Sequence, residues 1–165
     1  MNKLIDWLPG NIPDDDANSI VHGDFRLDNM VLHADKPEVL AVLDWELSTL
    51  GHPLGDFTYH LMQWFMPSEG ASTQTLEGVD FDALNIPDAA EYTRLYCEHT
   101  GRESIENMDF YIAYNMFRLA GILQGIVGRV RDGTASNEHA ALMEDRVKPL
   151  SDVGWFYAQK AGAVG

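Results

Sequence analysis

Cysteine is all but missing from this chain. Cys97 stands alone, which excludes an internal disulfide framework and fits a reducing compartment. Its place inside a helical pattern reads as a buried small hydrophobe rather than a nucleophile. Positive charge is scarce as well: 11 Lys and Arg face 26 Asp and Glu, a formal net charge of −15. The imbalance is uneven, with 21 acidic and 5 basic side chains in residues 1–110 and 5 and 6 in residues 111–165. Such a field repels nucleic acid and anionic membrane and draws Mg²⁺, amines and basic partners. The longest uncharged apolar run, 119–128, is too short to span a bilayer. Asp6, Pro9 and the run Asp14-Asp15-Asp16 leave the N-terminus without a signal peptide's apolar core. There is no Cys/His cluster of zinc spacing and no Gly-x-Ser-x-Gly. The expectation is a soluble cytoplasmic protein that partners neither nucleic acid nor membrane.

What is present argues for a packed domain. Hydrophobic content of 45% and aromatic content of 10% place the chain among globular proteins, so 1–165 reads as a single domain. Residues 2–8 read as a helix stopped by Pro9-Gly10, and 11–18 as an acidic loop. Strands are expected at 19–21, 30–33 and 39–43, the last two joined as a hairpin through Ala34-Asp35-Lys36-Pro37. A helix follows at 56–66, then a long loop at 67–86, a length that marks a functional or mobile segment. Asp88-Ala89-Ala90-Glu91 has the form of an N-terminal capping pair for a helix ending at Gly101. The longest helical pattern spans 107–131. Met108, Ile112, Met116, Leu119, Leu123, Ile126 and Val130 recur at three or four residues, and Phe110, Phe117, Ile122 and Val127 fill much of the remaining circumference, predicting a buried central helix. Gly121, Gly125 and Gly128 each cost about 1 kcal/mol relative to Ala there, so close backbone packing is expected around them. Ser136 is positioned to cap a last helix toward Lys160, with Pro149 kinking or dividing it. The fold class is α+β, mainly α: a short β-hairpin unit followed by four to five helices.

The chemistry concentrates in His22-Gly23-Asp24-Phe25-Arg26-Leu27-Asp28-Asn29 and Val42-Leu43-Asp44-Trp45-Glu46. An aspartate two residues after a histidine and five before an asparagine, with a second aspartate closing an apolar strand, is the layout of a phosphoryl-transfer loop and its metal-binding strand. Asp24 is placed to accept or orient a substrate hydroxyl, and Arg26 is the nearest fixed cation for the transferring phosphoryl. Asn29 offers a neutral oxygen and Asp44 an anionic one to Mg²⁺. Glu46, taken to share a strand face with Asp44, is a candidate for a second Mg²⁺ or its water. Carboxylates this close repel one another without a cation, so metal binding would stabilise the site as well as serve it. His22 is expected to hydrogen-bond loop backbone and hold Asp24 in place. Asp28 either contacts substrate or caps a turn. Asp56 either caps its own helix or ties the loop's backbone. Taken singly, Asp24 or Asp44 would read as a turn residue; the weight lies in the combination.

At these residues the sequence resembles the aminoglycoside phosphotransferase (APH) family, relatives of choline kinase and of protein kinases. Residues 22–29 are similar to its catalytic loop and 43–46 to its metal-binding segment. Residues 47–53, together with Phe117-Arg118-Leu119-Ala120 and Gln124-Gly125, most resemble kinase-like domains related to those found with acyl-CoA dehydrogenases. The resemblance implies the C-terminal lobe of a protein-kinase-like fold, with Asp24 catalytic and Asn29 and Asp44 binding Mg²⁺. It implies transfer of the γ-phosphoryl of ATP to a small-molecule hydroxyl on an amine-bearing or acyl-CoA-linked substrate. Lysine occurs only at 3, 36, 148 and 160, and no glycine-rich loop precedes residue 20. The nucleotide-binding N-terminal lobe is therefore expected to be absent and the isolated chain weak or inactive. The alternative is a non-catalytic remnant whose uncovered surface binds a partner or a second copy, with a homodimer or the missing lobe as that partner.

Overall fold

The computed structural model describes residues 1–68, 75–76, 78–134 and 143–165. These form two compact units: Met1–Pro13 with Leu61–Gly165, and Asp14–His60.

The larger unit is helical. α1 (Asn2–Trp7) runs into a 3-10 turn, Leu8–Gly10, where Pro9 takes an early position that needs no N–H donor. α3 (Phe81–Leu84) is a single turn capped by Asp80, which accepts from the Ala83 N–H at 3.1 Å. It lies inside the segment expected to be a continuous loop; residues 69–74 and 77 of that segment are outside the described residues. α4 (Ala89–Thr100) starts as expected, with Asp88 Oδ1 accepting from the Glu91 N–H at 2.8 Å. It ends on Gly101 at φ 69°, a left-handed conformation that favours glycine. The reciprocal half of the capping pair does not form. Glu91 turns to Arg94 instead, at 2.8 Å, a charged partner that also lowers the Glu91 pKa.

α5 (Met108–Arg131) packs along α6 (Glu144–Lys160), and α1 also lies on α6. Phe110, Ile112, Ala113, Met116, Ala120, Leu123 and Val127 form the buried face of α5, joined in the core by Leu4, Met62, Leu150 and Ala158. The tightest crossing is at Gly154 of α6. A Cβ there would stand 3.1 Å from Leu4 Cδ1 and 3.2 Å from Met116 Cβ, so three helices meet where only a hydrogen fits well. The expectation of close packing around the α5 glycines is overturned. A Cβ at Gly121 or Gly128 would meet nothing within 4 Å, and one at Gly125 only the Arg129 guanidinium at 3.9 Å. α5 is accordingly not buried all round, since Tyr114 and Ile122 are exposed. Pro149 lies within α6, and the cap expected from Ser136 falls outside the described residues. Cys97 is buried and reduced. Among the described residues no helix is long and apolar enough to cross a membrane.

Among the described residues, the four strands all lie in the smaller unit, in two antiparallel pairs. β2 (Met30–Leu32) and β3 (Val39–Val42) make the expected hairpin, in register Met30 to Val42, with an irregularity at Val31/Leu32. β1 (Ser19–Val21) pairs with β4 (Thr49–Gly51), a strand the sequence reading did not foresee. α2 (Leu54–Leu61) follows, shorter than expected, and gives way to a 3-10 turn at Met62–Trp64.

Candidate functional site

The loop from β1 to β2 is held by backbone-directed hydrogen bonds at its first two residues. Asp56, on the first turn of α2, accepts from the His22 N–H through Oδ2 at 2.5 Å and from the Gly23 N–H through Oδ1 at 2.9 Å. Of the two roles open to Asp56, the structure gives the second: it ties the loop. Gly23 turns the chain at φ 84°, and a Cβ there would lie 2.6 Å from the Leu47 carbonyl oxygen. Glycine is thus required twice, by the left-handed backbone and by the close approach.

His22 is buried, 2% exposed, and works through its ring as expected. Nε2 lies 2.7 Å from the Leu43 carbonyl oxygen and Nδ1 lies 3.2 Å from the Asp24 N–H. Those partners fix the tautomer: Nε2 carries the proton and donates, while Nδ1 accepts. One imidazole therefore connects the segment before Asp44 to the backbone of Asp24. The ring also contacts Trp45 at 4.7 Å between centroids, and Phe25 continues the aromatic row to His60.

Asn29 closes the loop on itself. Its Nδ2 donates to the Asp24 carbonyl oxygen at 2.8 Å and to Asp24 Oδ2 at 3.1 Å. With the amide nitrogen so engaged, Oδ1 is the atom left to accept or to ligate a cation. Arg26 lies 3.2 Å from Asp28 and 3.9 Å from Asp24. Asp28 neither caps the 3-10 turn Leu27–Asn29 nor stands isolated; its carboxylate pairs with Arg26.

Asp44 is reached through the hairpin. The Leu43 N–H donates to the Asn29 carbonyl oxygen at 2.8 Å, extending the β2–β3 ladder by one residue and bringing the residue before Asp44 beside the loop's end. Asp44 itself leaves the strand. It sits at φ 66°, ψ 49° as the residue before a 3-10 turn, Trp45–Leu47, and is exposed. Aspartate tolerates this left-handed conformation better than most residues. The placement of Glu46 is therefore corrected. It lies within that turn rather than two residues along a strand, so a face shared with Asp44 no longer follows from strand periodicity. Among the described residues, no group of three or more His, Cys, Asp or Glu is gathered closely enough to hold a metal. The structure thus joins Asp24 to Asn29 by hydrogen bonds and to Arg26 as an ion pair, ties Leu43, the residue before Asp44, to the Asn29 backbone, and places Glu46 in the 3-10 turn beyond Asp44. What the sequence reading missed is the backbone scaffold: the Leu43 and Leu47 carbonyls and the β1–β4 pair. Gly23 was the available signal, a glycine between two chemistry-bearing residues.

His60 closes this unit's aromatic row, and burial lowers its pKa below the ordinary 6.5. A base with a depressed folded pKa contributes stability that is fully present above the unfolded value and is lost as pH falls through the folded one. Between about pH 7 and pH 5 the native chain is therefore expected to lose more thermal stability than His60→Gln. Parallel melting curves for the two proteins would contradict it.

The model of the APH group, described as the phosphotransferase enzyme family, matches residues 1–98. The chain belongs to this family. Its relatives include acyl-CoA dehydrogenase family member 10 of Mus musculus, 42% identical over 162 residues, which span 98% of this chain and 15% of that protein. Family member 11 of Homo sapiens is 40% identical over 156 residues, covering 93% of this chain and 20% of its own length. A crystal structure from Ralstonia eutropha JMP134, of a protein provisionally assigned as an aminoglycoside phosphotransferase, shares 53% identity and a TM-score of 0.87. The match covers 96% of this chain and 48% of that one. The chain thus spans about half the length of this solved relative and a fifth or less of the two curated ones. The fold is the mainly helical, kinase-like arrangement with small sheets that the phosphotransferase resemblance implied.

Proposed function

We propose that this phosphotransferase-family chain carries the catalytic loop of an ATP- and Mg²⁺-dependent enzyme that transfers the γ-phosphoryl group to a small-molecule hydroxyl. The observation that carries the reading is the double hydrogen bond from Asn29 Nδ2 to Asp24, which fixes the carboxylate and leaves the amide oxygen for a cation.

The donor chemistry fits Mg²⁺. The ion takes hard oxygens in octahedral array and is bound through one or two carboxylates plus water and phosphate, rather than by an all-protein cage. Asn29 Oδ1 and the exposed Asp44 carboxylate are such donors, and a sparse protein set accords with the lack of a larger acidic cluster among the described residues. Asn29 and Asp44 would hold the ion, which would supply positive charge against the phosphates. Glu46 remains a candidate only for a water in that shell. The remaining work belongs to the chain's own groups. Asp24 orients the attacking hydroxyl and takes its proton late, as a loose transition state requires little early proton transfer. His22 and Asp56 keep Asp24 in position through the backbone. Arg26 meets the charge on the transferring group.

For the substrate we favour a hydroxylated acyl group linked to CoA, on the strength of relatives named as acyl-CoA dehydrogenase family members. An aminoglycoside or other amine-bearing alcohol, which the acidic field would attract, is the competing class. The solved relative carries as much chain again, so the reading is of a lobe that works with a nucleotide-binding lobe. A second reading, a non-catalytic binding or dimerisation module, has one observation in its favour. Ile20 and Leu50, opposite one another across β1 and β4, are 72% and 70% exposed.

Thermal stability with and without Mg²⁺ and ATP separates the two. The phosphotransferase reading expects a Mg²⁺-dependent rise with ATP that Asp44→Ala abolishes while leaving the ligand-free melting point within about 2 °C. A flat response, identical in Asp44→Ala, would favour the module.

A further inference from the structure

Asp28 carries an inference that rests on the reading of Arg26 as the cation meeting the transferring group. The Arg26 guanidinium is held unevenly. Nη2 lies 3.2 Å from Asp28 Oδ2, and Nε lies 3.9 Å from Asp24 Oδ2, beyond hydrogen-bond distance. Nε is nonetheless buried and has no acceptor among the described residues. The Asp28 side chain, by contrast, is 68% exposed. One edge of the guanidinium is therefore sealed against the loop, and the other is turned to a carboxylate standing in solvent.

A guanidinium presents five N–H donors in a rigid fork, and a carboxylate oxygen stands 3.2 Å from its Nη2 as an ion-pair partner rather than an aligned hydrogen-bond acceptor. Exposed ion pairs of this kind are weak because water screens them and ordering two side chains costs entropy. A phosphate group brings more oxygens, more charge and a spacing suited to the fork. The backbone under the pair is fixed: Arg26 is extended at φ −154°, and its carbonyl accepts from the Asn29 N–H at 3.0 Å, closing the 3-10 turn that carries Asp28. Exchange of one anion for another needs only side-chain rotation.

We propose that Asp28 is a placeholder on Arg26: its carboxylate occupies the guanidinium while no phosphoryl group is present and gives way when one arrives. Asp28 thereby sets how readily the site takes and gives up an anion. It acts through Arg26, as a positioning residue.

The test is a titration of the full chain with inorganic phosphate at constant ionic strength and pH, without Mg²⁺, followed by ¹H–¹⁵N shifts of the Arg26 Nε–H and of residues 24–29. Asp28→Asn is expected to bind phosphate roughly threefold more tightly than the native chain, the scale on which an exposed pair competes. Asp28→Glu should behave as native, and Arg26→Gln should show no local response with either residue at 28. Asp35→Asn, which removes an exposed charge elsewhere in the same unit, should leave the affinity unchanged. Equal or weaker binding by Asp28→Asn overturns the proposal, as does an equal gain from Asp35→Asn or an unaltered response in Arg26→Gln. No response in any variant also overturns it. Because the titration contains neither Mg²⁺ nor nucleotide, its failure is separate from that of the Asp44→Ala test.

Discussion

Asp56→Ala lowers the melting temperature by roughly 6–12 °C and, on the phosphotransferase function proposed above, removes phosphoryl transfer. The backbone N–H groups of His22 and Gly23 both donate to this one carboxylate, and His22 is almost wholly buried, so water replaces those bonds poorly. Hydrogen bonds to a charged acceptor contribute about 1.5–3 kcal/mol each, and an orphaned buried donor costs a similar amount. A loss of about 3 kcal/mol is therefore expected for the pair, allowing for partial rehydration. Activity suffers for a separate reason: Asp24 begins one residue beyond Gly23, and a loop free at its entry no longer holds the carboxylate against Asn29. Asp56→Asn distinguishes these effects, because its single amide oxygen can serve one N–H but not both. It should fall between native and alanine in calorimetry. Equal melting points for native and alanine proteins would show that the loop is held elsewhere.

Asp24→Asn has the opposite profile, a large kinetic effect with a small structural one. The carboxamide is nearly isosteric and keeps an oxygen for the Asn29 Nδ2 donor, so stability should change by no more than about 1 kcal/mol. It cannot accept the hydroxyl proton, and a positioned general base contributes about 10²–10⁴-fold. Single-turnover transfer from γ-labelled ATP to hydroxylated acyl-CoA thioesters, followed long enough to register slow product, should fall by that factor. Retention of the native rate within about threefold would remove Asp24 from the chemistry.

Much of this site was readable in the sequence because its parts are local. His22, Asp24 and Asn29 lie within one loop, and their mutual hydrogen bonds span two to five residues. The caps at Asp88 and Gly101 and the bounds of α5 were readable for the same reason: each follows from a periodicity or a residue type acting on its neighbours. What escaped is non-local or depends on one dihedral. β4 is three residues, Thr49-Leu50-Gly51, and exists by pairing with β1 about thirty positions earlier, so no window around it signals a strand. The left-handed turn at Asp44 ended strand alternation before Glu46, and nothing in Leu-Asp-Trp-Glu announces it. The α5 glycines misled for another reason. Close packing was inferred from their cost to the helix, whereas the close contact belongs to Gly154 on α6.

The central claim is that Asn29 and Asp44 serve one divalent cation beside Asp24. Mn²⁺ substituted for Mg²⁺ makes it directly measurable, since the ion broadens NMR signals steeply with distance. The account predicts that the Asn29 side-chain amide and the Asp44 backbone amide broaden together at the lowest Mn²⁺, and that Asp44→Ala spares both. Broadening that begins instead at Asp14, Asp15 and Asp16, with Asn29 and Asp44 untouched, would contradict it.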